Sequence, residues 1–508
     1  MRAFASSFHA WKELERNEGT KVPHGLVFPL AIVEAIGRPH GLSLVAEEHE
    51  PNGPSGFDAI FCSVLDSRCM VPAARHFRAW GIPFRQRDRA PVGRWPLVWA
   101  GGQGLHNPLP FADVADLIVI GDGEQPIPAL LALWERHGST LGFLAAASTV
   151  PGVFVPSHHD PREAVIAQSV SPDVGITLRE EIDVSHNGQR RIEIARGCKY
   201  KCSFCSLGWR TPVRENSAAD VIATIRRSPK IVHLQAGDAE SHSGIAEIRE
   251  ALREHGGRDN GWTGRLDTLL DNPDVEIGGA KKYAFGVEAV SHRLRAAIGK
   301  GYLTDERLVA DTLAFFSRVE PGHVGRGAWH VIAGLPTERR DEALLLLRVL
   351  ARLDAEVPRR GGARNLTIHW QPFQPLPGTP MQWCGAGGGA RRLAATIKGA
   401  ESQPWVRVRQ LVGRTDDMAR ICTVLARSDA RGAALLDRLS DGPVLVDDAI
   451  AITGSTDRAL NPDDPLPWDF IATGYPRATL RRAYDVMMRR LADVAPSTAT
   501  ADEYRSLA

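Results

Sequence analysis

Arg196-Gly-Cys-Lys-Tyr-Lys-Cys-Ser-Phe-Cys-Ser-Leu-Gly-Trp-Arg210 is the stretch around which the rest of the chain is read. Three of the seven cysteines, Cys198, Cys202 and Cys205, fall within it, spaced Cys-x-x-x-Cys-x-x-Cys. The run before it, Arg191-Ile-Glu-Ile-Ala-Arg196, alternates and predicts a short strand with Ile192 and Ile194 on one face. Gly197 then lets the chain turn away from the strand end. A tight loop of three thiolates can grip three corners of an iron–sulfur cube and leave the fourth iron without a protein ligand. A structural zinc site is the alternative, but it normally takes four ligands, often as two separated pairs. His186 lies before the strand and His233 well beyond Cys205, so no fourth ligand is adjacent. A secreted disulfide fold would leave one cysteine over and would want a signal sequence.

Downstream, strand-end motifs recur at intervals suited to βα units. Lys230-Ile-Val-His-Leu-Gln235 ends in Ala236-Gly-Asp-Ala-Glu240, and Trp262-Thr-Gly-Arg-Leu-Asp-Thr268 follows. Tyr283 to Ser291 leads into a helical Arg293 to Ile298, and Trp329 to Glu338 into an apolar helix over Glu342 to Leu353. Asn365 to Phe373 is the last of the series. With the strand before the cysteines this makes six units, an open partial barrel whose chemistry belongs at the carboxyl ends of its strands.

Upstream, from Gly56, strands and helices also alternate: Phe57 to Leu65, Pro96 to Ala100 and Leu117 to Ile120 are strands, with helices over Val71 to Trp80 and Ile127 to His137. Glycines at the strand ends argue a doubly wound parallel sheet. Ligands in such sheets sit beyond the carboxyl ends, which puts Ser63 to Ser67, Gly101 to Gln103 and Gly121 to Glu124 around one crevice. Pro151 to Gln189 reads as a connector, with His158-His159-Asp160 as a possible metal pair or a solvated loop.

The fold expected is therefore α/β: a doubly wound sheet with its connector over residues 1–185, a partial TIM-like (β/α)6 barrel over 186–384, and a helical C-terminal cap over 385–508. The cap's helical patterns cover 390–400, 416–428, 431–439 and 477–492, with Trp468 and Asp469 in an aromatic stretch between them and a frayed tail from Pro496. The chain has 508 residues, is 43% hydrophobic and carries a formal net charge of +1. That balance gives no bulk attraction to nucleic acid or membrane. The run from Leu26 to Ile36 is too short and too broken to span a bilayer, and a cytoplasmic, reducing compartment is expected. Cys62, Cys69, Cys384 and Cys422 are expected to pack, with Cys384 nearest the barrel mouth.

The cysteine loop and the ordered strand ends, most strongly from Arg191 to Met381, resemble the radical S-adenosylmethionine (radical SAM) enzymes. The resemblance implies a 4Fe–4S cluster on Cys198, Cys202 and Cys205. SAM would be bound at the open iron and cleaved reductively to a 5′-deoxyadenosyl radical, with a flavodoxin or ferredoxin as electron donor. Gly237 and Asp238, with Glu240 nearby, stand where the family has a Gly-Gly-Glu motif that meets the SAM amino group. This chain does not keep both glycines, so the contact could be shifted. Arg265 and Asp267 look like the third-strand polar pair, Glu288 and Ser291 like the pair near the SAM ribose and carboxylate, and the turn at Gly334 like the one along the adenine. Upstream, Gly102, Gly121 and Glu124 lie in motifs similar to those of the cobalamin-binding-type domain that precedes the barrel in one subgroup. That domain's usual Asp-x-His-x-x-Gly signature is not found. Asp66-Ser-Arg-Cys-Met70 has Arg68 where the histidine would be, so either cobalamin binds without a protein ligand or only the fold is kept. The implied reaction is radical modification of an unactivated carbon, methylation among the options, or a cobalamin-independent rearrangement. A metal-stabilised binding module is the non-enzymatic alternative, and the substrate is not named by any motif.

Overall fold

The protein is seen in a computed structural model, which describes residues 1–6, 28–47, 53–90, 93–180, 190–259, 263–267, 282–319, 325–356, 364–388, 390–399, 403, 405–410 and 415–492. The tail from Pro496, His186 and the expected strand residues Trp262 and Thr268 lie outside these residues.

The first sheet has six strands: β1 (Arg2–Ser6), β2 (Ser43–Ala46), β3 (Ala59–Ser63), β4 (Leu97–Gly101), β5 (Leu117–Val119) and β6 (Val153–Phe154), in the order β2-β1-β3-β4-β5-β6. All neighbours are parallel except β5 and β6. Strands buried on both faces read as unbroken apolar runs, and every residue of β3 is buried. The order reverses direction at β1, so the crevice of such a sheet opens beyond the carboxyl ends near β1 and β3. β1 and β2 precede Gly56, ahead of the first expected strand. The antiparallel β6 comes from the expected connector, as does β7 (Ile166–Ala167).

β8 (Arg190–Glu193) precedes the cysteine segment, which a small antiparallel pair frames: β9 (Ala195–Arg196) with β10 (Arg214–Glu215). β8, β11 (Ile231–Gln235) and β12 (Arg258–Asp259) form a parallel sheet in the order β12-β11-β8. A second parallel sheet runs β13-β14-β15-β16-β17, from Thr263–Gly264 through Lys282–Glu288, Gly325–Ala333 and Arg364–Pro372 to Val406–Gln410. Of the expected third strand, Thr263–Gly264 forms β13 on β14, and β12 on β11 precedes it. β17 adds a strand beyond residue 384, the expected end of the barrel.

The last quarter of the chain does not sit apart as a cap. Helices Asp416–Arg427, Gly432–Asp441 and Val446–Thr453 bury Ile421, Leu425 and Leu436 in the same core as Phe77 and Phe111 of the first sheet's unit. Asn107 fastens the junction, its Nδ2 donating to the carbonyls of Ala426 (3.0 Å) and Ser428 (2.7 Å). Helix Arg477–Ala492 instead packs Met487 and Leu491 onto the core of the five-stranded sheet, while β18 (Ile471–Ala472) pairs with β7. Among the described residues no helix is long and apolar enough to cross a membrane.

Candidate active site

The cysteine segment leaves β9 at the carboxyl ends of the parallel strands and is held from several sides. The Trp209 indole donates to the Cys202 carbonyl at 3.0 Å. The Ser203 N–H donates to the Ile298 carbonyl at 3.0 Å. Lys201 Nζ reaches the Gly208 carbonyl and the Tyr475 hydroxyl, and lies 4.1 Å from the Tyr475 ring centre. Gly237, just past β11, comes so close that a Cβ there would stand 2.7 Å from the Gly197 carbonyl oxygen and 3.2 Å from Cys198 Cβ. Only glycine permits that approach.

Cys198, Cys202 and Cys205 are free, partly buried thiols. Burial pushes Cys205 up to about 12, its two neighbouring thiols adding to the rise. Thiols so placed become good ligands when a metal displaces the proton. Among the described residues no three His, Cys, Asp or Glu side chains converge closely enough for one metal ion. A cluster, whose ligands grip separate corners, suits the three cysteines better than a single zinc.

Asp238 follows Gly237. It is 6% exposed, and no side chain donates to its carboxylate. Burial lifts its pKa to about 6, with Glu240 adding to the rise and Arg265 opposing it. Glu240, two residues on, is bound by Arg249, which also meets Asp259 at 3.1 Å. The strand ends bring Arg265 onto the cysteine segment: its guanidinium carbon is 4.0 Å from the Tyr200 ring centre and 3.6 Å from that of Tyr302. Arg265 Nη2 is 2.6 Å from Asp267. Glu288 ends β14 with a left-handed φ of 67°, a conformation that costs a non-glycine residue energy and clusters at functional sites. Buried Lys300 lies 3.2 Å from its carboxylate and donates to the Gly286 carbonyl at 2.5 Å. Next to Lys300, Gly299 packs against Cys202, its Cβ position 3.4 Å from the Cys202 Cα.

Other expected residues are spent on structure. The Ser291 hydroxyl donates to Glu342 at 2.7 Å and caps the helix His292–Ala297. Gly334, at φ 82°, forms the turn after β15, its N–H donating to Glu338. Trp468 packs with Trp209 and Trp383, its indole donating to Gln382 at 2.9 Å, and Asp469 is bound by Arg477. His159 uses both ring nitrogens on backbone groups, and Asp160 pairs with Arg162. Cys62, Cys69, Cys384 and Cys422 are buried. Sequence reasoning missed Tyr302, Lys300 and Glu338. Each follows a strand end by several residues and carries no local pattern.

Gly102, Gly121 and Glu124 lie on the other side of the cysteine segment. They line a cavity of about 410 Å³ with Ser63, Gly197 and Gly237, between the first sheet's carboxyl edge and the loop. Arg196 bridges the two units there, reaching Glu124 at 2.8 Å, Asp122 at 3.1 Å and Glu193 at 2.7 Å. Arg68 does not line this cavity. It pairs with Asp66 and borders a smaller one of about 190 Å³ with Phe204 and Ile332.

Residues 26–156 match a family described as the N-terminal domain of radical SAM proteins. The match supports the radical SAM superfamily for this chain. No curated protein matches it. Among solved structures, SuiB of Streptococcus suis bound to S-adenosylmethionine is similar at a TM-score of 0.29 and 11% identity, over 47% of this chain and 53% of that one. SuiB bound to its precursor peptide SuiA is similar at a TM-score of 0.27 and 10% identity, over 60% of this chain and 66% of that one. The chain thus spans between half and two-thirds of the SuiB length.

Proposed function

We propose that this chain is a radical SAM enzyme in which Cys198, Cys202 and Cys205 hold a 4Fe–4S cluster and the carboxyl ends of one partial barrel hold SAM. The observation that carries the reading is the pairing of two things at one rim. Three thiols sit on a glycine-packed loop with no fourth metal-binding side chain converging on them among the described residues, and beside them Asp238 is a buried carboxylate with no side-chain donor. When bound, the cluster and SAM supply, after one-electron reduction, a 5′-deoxyadenosyl radical that takes hydrogen from an unactivated carbon.

The chain's own residues then bind and orient. Asp238 offers its bare carboxylate to the SAM ammonium, a charge-assisted contact that removes the cost of its burial. Glu240, tied to Arg249, fixes that loop instead of meeting SAM. Arg265, clamped between Tyr200 and Tyr302 with its fork held by Asp267, ties the third strand to the cysteine segment. Lys300 holds Glu288 in its strained place near Cys202. The aromatic cluster of Trp209, Trp383 and Trp468 backs the loop and helps keep water away from reactive species.

Methylation of an unactivated carbon, with cobalamin from the first sheet's side, is one form of the reaction. A cobalamin-independent rearrangement is the other, and the engagement of Arg68 by Asp66, away from the larger cavity, favours it. Anaerobic reconstitution with iron and sulfide, then dithionite and SAM, should yield 5′-deoxyadenosine, and Cys202→Ala should yield none. Uptake of one zinc and no iron would overturn the reading. Titrating the reconstituted enzyme with cobalamin then separates the two reaction forms.

A further inference from the structure

The cavity between the first sheet and the cysteine segment has no part in the proposed chemistry. It measures about 410 Å³, and its sheet side is apolar, with Leu30, Val33, Phe61 and Ile127. Its charges close on one another. Arg196 meets Asp122, Glu124 and Glu193, and Arg214 adds a second contact to Asp122. The partly buried Arg210 donates to the Gln103 carbonyl at 3.1 Å. Three carboxylates and three arginines leave no net charge for an ion to answer. Burial raises the Glu124 pKa, which makes that acid a poor seat for a cation as well. Nor do the rim glycines offer open backbone. A Cβ at Gly102 would stand 2.4 Å from the Val64 carbonyl oxygen, and one at Gly121 2.2 Å from that of Ser169.

What the walls do offer is uncharged and unmet. Ser63 and Trp99 are 3% and 2% exposed, and neither the Ser63 hydroxyl nor the Trp99 indole N–H has a hydrogen-bond partner among the described residues. The side-chain carbonyl of the half-buried Gln168 is likewise without one. All three side chains line this cavity. Buried polar side chains are nearly always hydrogen-bonded, so three exceptions around one space point to a partner that enters it. We propose that the cavity binds a small uncharged molecule with an apolar body and an amide or hydroxyl head, its body against Phe61 and Ile127 and its head toward Ser63, Trp99 and Gln168. Two donors and an acceptor suit a head that both accepts and donates, and the apolar space is within the usual size of ligand sites. The site is distinct from the proposed SAM site, since Asp238, Arg265 and Glu288 do not line it. It stands whether or not the cysteines carry a cluster.

The test uses the full chain as purified, with no iron or SAM added, and the uncharged dye N-phenyl-1-naphthylamine. Its fluorescence should rise on binding, and 2-naphthamide should displace it. The anion 2-naphthoate and the cation 2-naphthylmethylammonium should each displace it roughly tenfold less well or worse, because the apolar space has no free charge to receive theirs. Val33→Trp fills the cavity without touching a charge and should abolish dye binding. Ser63→Ala and Gln168→Leu should each weaken 2-naphthamide roughly threefold to tenfold, the scale of one hydrogen bond, and they carry the test if Val33→Trp fails to fold. The thermal midpoint of ligand-free Ser63→Ala should not fall, since its hydroxyl gives up no bond within the chain. No dye binding by the unmodified chain, unchanged binding in a folded Val33→Trp, or displacement by either ion as good as by the amide would each overturn the proposal. So would unchanged amide affinity in both polar variants, or a lowered midpoint in Ser63→Ala.

Discussion

Two acidic loops flank the cysteine segment, and they are treated in opposite ways. Asp122 and Glu124 follow β5, and Asp238 follows β11, both at carboxyl ends of parallel strands. The first loop is met by arginines from across the junction: Arg196 lies 3.1 Å from Asp122 and 2.8 Å from Glu124, and Arg214 also binds Asp122, although burial still raises the Glu124 pKa. The second loop gives Arg249 to Glu240 but leaves Asp238 sealed from solvent with no side-chain donor. Burying an unpaired carboxylate costs several times what burying a paired one does. A fold that gives each acid of one loop an arginine and leaves one acid of the other without a side-chain partner separates a seam from a site. The arginines of the first loop join two units, and the bare acid of the second is placed for a cation that comes and goes.

Breaking the seam should have the larger effect. Arg196→Met leaves Glu124 and Glu193 without their cation in surroundings where their side chains are 13% and 8% exposed. Removing one member of such a buried network costs about 3–5 kcal/mol. Urea unfolding should show that loss, and adding Glu193→Gln should return part of it, because one of the stranded charges then goes too. A loss below about 1 kcal/mol would mean that water reaches these carboxylates and the seam is not electrostatic.

Asp238→Asn should move two readouts in opposite directions. With its folded pKa near 6 against an ordinary 3.8, Asp238 is a group raised by burial. The folded chain therefore holds a proton that the unfolded chain has lost, and stability falls as pH rises from about 4 through 6. By pH 8 the ionised carboxylate costs about 3 kcal/mol. The amide escapes that cost but must itself be buried, so the ligand-free chain should gain roughly 2 kcal/mol. SAM affinity should meanwhile fall by roughly tenfold or more, measured by calorimetry on the reconstituted protein. A variant that loses stability and keeps its SAM affinity would make Asp238 an ordinary structural acid.

Much of this contrast is invisible in the sequence for a physical reason. The cysteine spacing and the apolar runs of β3, β4, β11 and β15 are local signals, so the parallel strands and the loop between them could be read directly. β1, with only Ala3, Phe4 and Ala5 as its apolar core, and β17, alternating Val406-Arg-Val-Arg409, are too short or too polar to announce themselves. They become strands through the neighbours they pair with. Asp238 and Glu240 look alike at a spacing of two. What divides them is Arg249, supplied by a helix further along the chain, and no local rule says which acid it will choose.

Glu338 is the intermediate case and the sharpest check on the distinction. On the turn after β15 its Oε2 accepts from the N–H groups of Gly334 and Leu335, the second at 2.8 Å, while Oε1 is sealed and unpartnered. Burial raises its pKa to about 7; the two N–H groups and, more weakly, Arg293 hold it down, while Glu342 adds to the rise. It is half seam and half bare. Because the folded pKa exceeds the ordinary 4.5, protons leave the unfolded chain first, and stability declines as pH rises through 7. Between pH 6 and pH 8 that decline amounts to about 1.3 kcal/mol from this group alone. Glu338→Gln keeps an oxygen for both N–H groups and cannot ionise. Urea midpoints of the two proteins at pH 6 and pH 8 should therefore differ in slope by that amount, with every other titrating group cancelling. Parallel slopes would mean that the N–H pair fully compensates the carboxylate, and the turn would then belong with the paired loop of Asp122 and Glu124.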